Sequence, residues 1–236
     1  MALMSPQPND ELLSSLDNLF GDKAYSDLTV TCRGDEYKVH KAIICPRSPF
    51  FASACNGPFQ EARTGIIDLP DDDPQAVKLM IRYFYYLDYP QQPEAQDKGP
   101  GTPNKVSTKT NFPMPAMAAG AKKSGPKKKV GYSPQPNLTV HARVYALAEK
   151  YDIKGLKTLS LGKFEIEADL HWDSDDFMCA VEEVYTSTVD EDRGMRDAVV
   201  EAVYNNAGVL EKESMQNLVK RLPLCFDLMM RFRGWL

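Results

Sequence analysis

The stretch from Tyr25 to Pro70 constrains this chain most, because its apolar spacing switches from strand to helix and back to strand. Leu28-Thr29-Val30-Thr31-Cys32 alternates apolar and polar residues, which predicts a half-buried strand. Arg33-Gly34-Asp35-Glu36 supplies a polar turn with glycine, and Tyr37-Lys38-Val39-His40 resumes the alternation, so the two runs pair as a β-hairpin. The apolar run Ala42-Ile43-Ile44-Cys45 turns helical. Ser48 reads as an N-cap and Pro49 as the first residue of a short helix. Phe50, Phe51, Ala54 and Cys55 share one face of that helix, which Gly57-Pro58 ends. Ile66, Ile67 and Leu69 then form a third short strand closed by Pro70.

Helical signals flank this block. Leu12, Leu13, Leu16, Leu19 and Phe20 make an amphipathic helix capped by Asn9 or Asp10 and ended by Gly21. One apolar stripe does not say whose core it joins, so a helix laid on its own domain and a helix packed against a second copy are both open. Asp73 and Pro74 start another helix with Val77, Met80, Ile81, Phe84 and Tyr85 on its apolar face and a stop near Tyr89-Pro90. Further on, Val140, Val144, Leu147, Ala148 and Tyr151 mark one helical face. Asp152 to Gly155 is a break, and Leu156, Leu159, Leu161 and Phe164 continue in a second helix. Ser174 caps a third, with Phe177, Val181, Val184 and Tyr185 inward. Helices over 193–207 and 211–222 and an apolar final helix complete the chain.

Residues 90–137 differ in kind. Nine of the 17 prolines lie there, with eight lysines against Glu94 and Asp97, a net +6 in a chain of net charge -5. So few apolar groups predict a disordered insertion, whose length adds little to the entropic cost of closing the fold around it.

The order Ser26-Asp27, KVHKA, RSPFF, FQEAR and IIDLPDDDP, followed later by ALAEKYDIKGL, resembles the BTB (POZ) domain. The resemblance covers about 25–90 and 138–169. It implies an α+β fold with a small three-stranded sheet flanked by helices. The expected layout is a tail and short helix over 1–24, a BTB domain over 25–169 interrupted at 90–137, and a helical extension over 170–236. It also implies an interaction module that forms homodimers, with Leu12, Leu16 and Phe20 at the two-fold and Asp27 lining a pocket there. The alternative for Asp27 is a cap or turn residue before the strand. Many members hold a substrate for a cullin-type ubiquitin ligase. In those members a hydrophobic residue, any residue and a glutamate follow the RSPFF helix, and Phe59-Gln60-Glu61 matches. The structural alternative is that Phe59 covers its own core and Glu61 is ordinary surface.

The chemistry of enzymes leaves no comparable trace. A nucleophile needs a neighbouring base, and no GxSxG is present. His40, His141 and His171 have no motif around them, and His40 reads as a structural histidine. No Cys/His cluster has zinc spacing, and Gly162-Lys163 lacks the rest of a phosphate loop. The expectation is a protein that is not an enzyme and uses no cofactor. The five cysteines suit reduced, buried thiols in an intracellular protein. The start MALMSPQPND has no signal-peptide pattern and no run reaches membrane-span length, so cytoplasm or nucleus is expected and no membrane. Negative net charge argues against nucleic acid as a general partner. Lys122, Lys123, Lys127, Lys128 and Lys129 are candidate nuclear-import residues, against the alternative of a solvating tract. Rival functions are a non-ligase scaffold or nuclear regulator, and an enzyme within 170–236.

Overall fold

The computed structural model describes residues 8–90 and 135–234. The fold is α+β, a three-stranded sheet with helices around it followed by a helical region. In chain order, α1 (Pro8–Asp22) leads to β1 (Leu28–Cys32), β2 (Asp35–Val39), α2 (Lys41–Ile44), α3 (Pro49–Asn56), α4 (Gln60–Thr64), β3 (Ile66–Asp68) and α5 (Pro74–Tyr86). Then come α6 (Leu138–Lys150), α7 (Lys154–His171), α8 (Asp175–Ser187), α9 (Arg193–Asn205), α10 (Glu213–Arg221) and α11 (Leu224–Phe232). The 3-10 turns Cys45–Arg47 and Ala207–Glu211 join neighbouring helices.

β1 is the central strand, antiparallel to β2 and parallel to β3. Central placement changes its burial. Leu28, Val30 and Cys32 are buried as alternation demands, but Thr29 is buried as well. Lys38 Nζ donates to Thr29 Oγ1 at 2.9 Å, and Thr31 Oγ1 donates to Asp68 Oδ1 at 2.6 Å. The hairpin turn is tighter than the four residues expected. Cys32 pairs directly with Asp35, leaving Arg33 (φ 45°) and Gly34 (φ 100°) as the two-residue loop. Two positive φ values define a turn whose twist matches that of the strands.

Local signals set most helix starts. Ser48 Oγ accepts the Phe51 N–H at 3.3 Å, Asp73 Oδ1 the Ala76 N–H at 2.9 Å, and Ser174 Oγ the Phe177 N–H at 3.1 Å. Helix ends are less regular. α1 runs through Gly21 to Asp22. α5 stops at Tyr86, with Leu87 in the left-handed region (φ 56°), before Tyr89-Pro90 is reached. Gly155 lies inside α7 rather than in a break.

Two cores share a wall. Val144, Leu147, Ala148 and Tyr151 of the α6 segment join Val30, Ile44, Phe51 and Phe84 in the first. Leu138, Ala142 and Tyr145 of α6, with Phe164 and Ala168 of α7, join Phe177, Val181, Met195 and Val199 in the second. The division expected at 169/170 therefore falls inside α7, whose two ends serve different cores. The insertion expected over 90–137 lies outside the described residues except at its edges. There the expectation fails for Asn137, which is buried and donates its N–H to Glu167 Oε2 at 2.8 Å. The helical region is fixed by charge as well as packing. Asp227 of α11, 6% exposed, accepts from Tyr185 Oη at 2.7 Å and from Arg193 Nη1 at 3.0 Å.

The expectation of buried thiols needs correction. Cys32 and Cys55 are buried and Cys45 half-buried, whereas Cys179 and Cys225 are exposed; all five are free. The last two project from the outward faces of α8 and α11.

Candidate functional site

Exposed apolar side chains on rigid elements are the features to weigh for a binding function. Burying them against a partner releases the free energy that their exposure to water withholds.

The first such surface surrounds α3 and α4. Ser48 fixes the start of α3, and the short helix ends at Gly57. A Cβ on Gly57 would lie 2.6 Å from the Phe59 ring and 2.7 Å from the Ser53 carbonyl, so only glycine lets the Phe59 ring lie there. Phe59 has extended backbone (φ -83°, ψ 163°) at the N-cap of α4 and is 53% exposed. Its ring covers the α3 terminus and stays out of the core. Glu61 stands in the first turn of α4, where a carboxylate complements the helix dipole, and is half-buried. At the other end of α3, Phe50 is 40% exposed and packs on Tyr151 with ring centroids 4.6 Å apart.

The second surface is α1. Phe20 stacks on Tyr85 at 4.9 Å and meets Tyr86 edge-on at 5.7 Å, and Tyr86 Oη donates to Asp17. The C-terminal half of α1 is thus laid on α5. The N-terminal half carries Leu12, 59% exposed, and Leu13, 44% exposed, with Leu16 half-buried between the two halves. The C-terminal half therefore fits a helix laid on its own domain, while Leu12 and Leu13 are left exposed. Asp27 is exposed and spends its groups locally. Its N–H donates to the Val39 carbonyl at 3.1 Å, and its Oδ1 accepts the Lys41 N–H at 2.8 Å, tying the start of β1 to the start of α2. That geometry is the turn-and-cap role.

His40 is structural. Its Nε2 lies 2.7 Å from the Ala24 carbonyl, an acceptor, so Nε2 carries the proton. Nδ1 then accepts from Tyr85 Oη at 2.7 Å, and that hydroxyl accepts the His40 N–H at 3.1 Å. Burial pushes the Tyr85 phenol up to about 12, so it stays a donor.

A buried polar cluster joins Tyr89, Asn137, His141 and Glu167. Tyr89 Oη meets His141 Nδ1 at 2.9 Å, and His141 Nε2 faces Glu167 Oε1 at 3.5 Å, an ion-pair distance rather than a good hydrogen bond. Glu167 also receives the Asn137 N–H. Burial acts to raise the Glu167 pKa, but the His141 ring and the Asn137 N–H outweigh burial and hold it below the usual value. With side-chain exposures of 1% and 4%, this His–Glu pair has no room for a substrate.

A cleft of about 630 Å³ between the two cores is lined by Asp72, Asp73, Arg143, Lys150 and Glu183, already paired among themselves. Among the described residues no group of three or more His, Cys, Asp or Glu side chains is placed to hold a metal ion. None of the described helices is long and apolar enough to cross a membrane. Lys122, Lys123, Lys127, Lys128 and Lys129 lie outside the described residues.

Sequence reasoning missed Leu13, Tyr25 and Phe50 as surface groups. Tyr25 is 89% exposed with φ 62°, a strained conformation for an aromatic residue. Aromatic and leucine residues read as core in a sequence, and nothing local marks the ones left outside.

Residues 16–97 match the family model described as the BTB/POZ domain. The TD and POZ domain-containing protein 4 of Mus musculus is 30% identical over 74 residues, which is 31% of this chain and 20% of the mouse protein. The match thus spans a fifth of that relative's length.

Proposed function

Because this chain carries a BTB/POZ domain, a protein–protein interaction module, we propose that it holds two partners through two separate surfaces: a second copy of itself through α1, and a cullin-type ubiquitin-ligase scaffold through Phe59. The observation that carries the second contact is the 53% exposure of Phe59 at the junction of α3 and α4. Glu61 stands two residues on and supplies a rim charge. Leu12 and Leu13 support the first contact, since the described chain leaves about half of their surface open. On this reading, residues 25–169 form the BTB unit and 170–236 a helical extension that presents a substrate protein. The wall formed by α6 and α7 gives the two units a fixed relation, as a scaffold requires. The setting is the cytoplasm or nucleus.

Capture of a cullin N-terminal domain by the purified chain tests the proposal, with Phe59→Asp as the control. Capture that is lost in the variant supports it. If the wild type captures no cullin, the chain is a scaffold or nuclear regulator that uses its BTB domain only to self-associate.

A further inference from the structure

The longest helix, α7, starts without a side-chain cap. Ile153 stands at its N-cap and offers no acceptor, so the N–H groups of Lys154 and Gly155 open the helix uncapped. These two residues line a pocket of about 370 Å³ together with the end of α5 and the turn Cys45–Arg47. Tyr83 stands in the same pocket. It is 8% exposed, and its hydroxyl has no hydrogen-bond partner among the described residues. Gly155 makes room for that hydroxyl, since a Cβ there would collide with Tyr83 Oη. A buried donor is thus aimed at the first turn of α7 with nothing to bond, a cost that a ligand would remove. Burial pushes the Tyr83 phenol up, against the opposing pull of Arg47, so the hydroxyl keeps its proton. Two cations complete the lining. Arg47 Nη1 donates to the Phe84 carbonyl, which fixes the guanidinium and leaves its other N–H groups available. Lys154 is exposed and has no ion pair among the described residues. The acid in the lining, Asp152, is exposed as well, so the charge of the pocket is positive. On the apolar side stand Pro49 and Leu87, the latter 51% exposed.

We propose that this pocket binds a phosphate monoester carried on a side chain of a partner protein. The phosphate oxygens take the α7 N–H groups and the Tyr83 hydroxyl, Arg47 and Lys154 balance the charge, and the carbon side of the ester lies on Leu87 and Pro49. A helix N-terminus attracts an anion through its unbonded N–H groups and its dipole. Here the donors come from α7, α5 and the turn before α3. Three sides of donors suit the three terminal oxygens of a phosphate better than the two coplanar oxygens of a carboxylate. The pocket lies at the start of α3, whose far end leads to Phe59, so this site is independent of the cullin contact.

The test follows the Gly155 backbone amide of the full chain by NMR. The probes are a phosphoserine peptide flanked by leucines, the same peptide with glutamate in place of phosphoserine, and inorganic phosphate. The expected result is a saturable Gly155 shift with the phosphopeptide, at an affinity about tenfold or more above that of either other probe. Lys154→Glu should weaken phosphopeptide binding about tenfold and Tyr83→Phe about threefold. Both variants should melt like the wild type, because Lys154 is exposed and the Tyr83 hydroxyl is unbonded. No saturable shift up to about 10 mM phosphopeptide, or wild-type affinity in both variants, overturns the proposal. A glutamate peptide that binds as tightly overturns the phosphate assignment, and inorganic phosphate that binds as tightly overturns the partner-borne source.

Discussion

Ser48 Oγ donates a 2.6 Å hydrogen bond to the Tyr151 carbonyl, across 103 residues of sequence. The same oxygen accepts the Phe51 N–H, so one hydroxyl both caps α3 and binds it to the turn between α6 and α7. Ser48 is fully buried and Tyr151 nearly so, so removing the hydroxyl leaves the Tyr151 carbonyl away from bulk solvent. Ser48→Ala should cost about 2–4 kcal/mol, the sum of a lost cap and an orphaned buried carbonyl. Thermal unfolding would fall by roughly 4–16 °C, given about 2–4 °C per kcal/mol for a chain of this size. A drop under 2 °C, about that of a surface change, would remove this bond from the account.

Glu167 links stability to pH. Its folded pKa is held below 4.5, its ordinary value, by the His141 ring and the Asn137 N–H acting against burial. A depressed carboxylate stabilises the fold above its unfolded pKa and loses that contribution as pH falls through the folded pKa. Denaturant melts of the wild type and Glu167→Gln should therefore differ most at neutral pH and converge as pH falls below the ordinary carboxylate range. A difference that stays constant from pH 7 to 3 would contradict the ionised state of Glu167.

The same cluster makes a statement about the chain between its two halves. Tyr89 and Asn137 are each anchored to the α6–α7 pair, through His141 and Glu167. Replacing 91–134 by a short Gly/Ser linker should leave one cooperative transition with a melting temperature within a few degrees of the wild type. Loss of cooperativity would mean that the replaced segment contributes packing.

Self-association through α1 is open to direct measurement. Leu12 and Leu13 are exposed, so Leu12→Asp with Leu13→Asp leaves the monomer's core intact. Sedimentation at micromolar concentration should show a dimer for the wild type and a monomer for the double variant, with equal melting of the dissociated chains. A wild-type monomer at those concentrations rejects this surface.

How much of this was legible in the sequence depends on how far each signal reaches. Ser48-Pro49, Asp73-Pro74 and Ser174 announced their caps because capping involves residues two or three positions away. The apolar face of α5 was equally local. The bond from Ser48 to Tyr151 was not readable, since no pattern within a window records a partner so distant. α6 was read as having one apolar face, and Leu138, Ala142 and Tyr145 serve a second core that a single stripe does not reveal. Gly155 suggested a break, yet it is helical because α7 needs close approach there: a Cβ would sit 2.1 Å from Tyr83 Oη. At the candidate surfaces, Phe59 and Glu61 were picked out by the family pattern, Asp27 is bonded locally, and Leu13 was placed in the apolar stripe of α1 with no local sign that it would be left exposed.

Phe59 carries the central claim. Equilibrium binding of a cullin N-terminal domain to the wild type and to Phe59→Ala, with melting temperatures measured alongside, tests it most directly. An interface anchor is worth about 2–4 kcal/mol, so the variant should bind roughly thirty-fold or more weakly. Its melting temperature should stay within about 2 °C, because little buried area is removed from a ring that is 53% exposed. Glu61→Ala should weaken binding less, as a rim charge is screened by water and salt. Equal affinity for wild type and Phe59→Ala, or a fall of several degrees in melting temperature with binding unchanged, would contradict the claim and assign Phe59 to the support of α3.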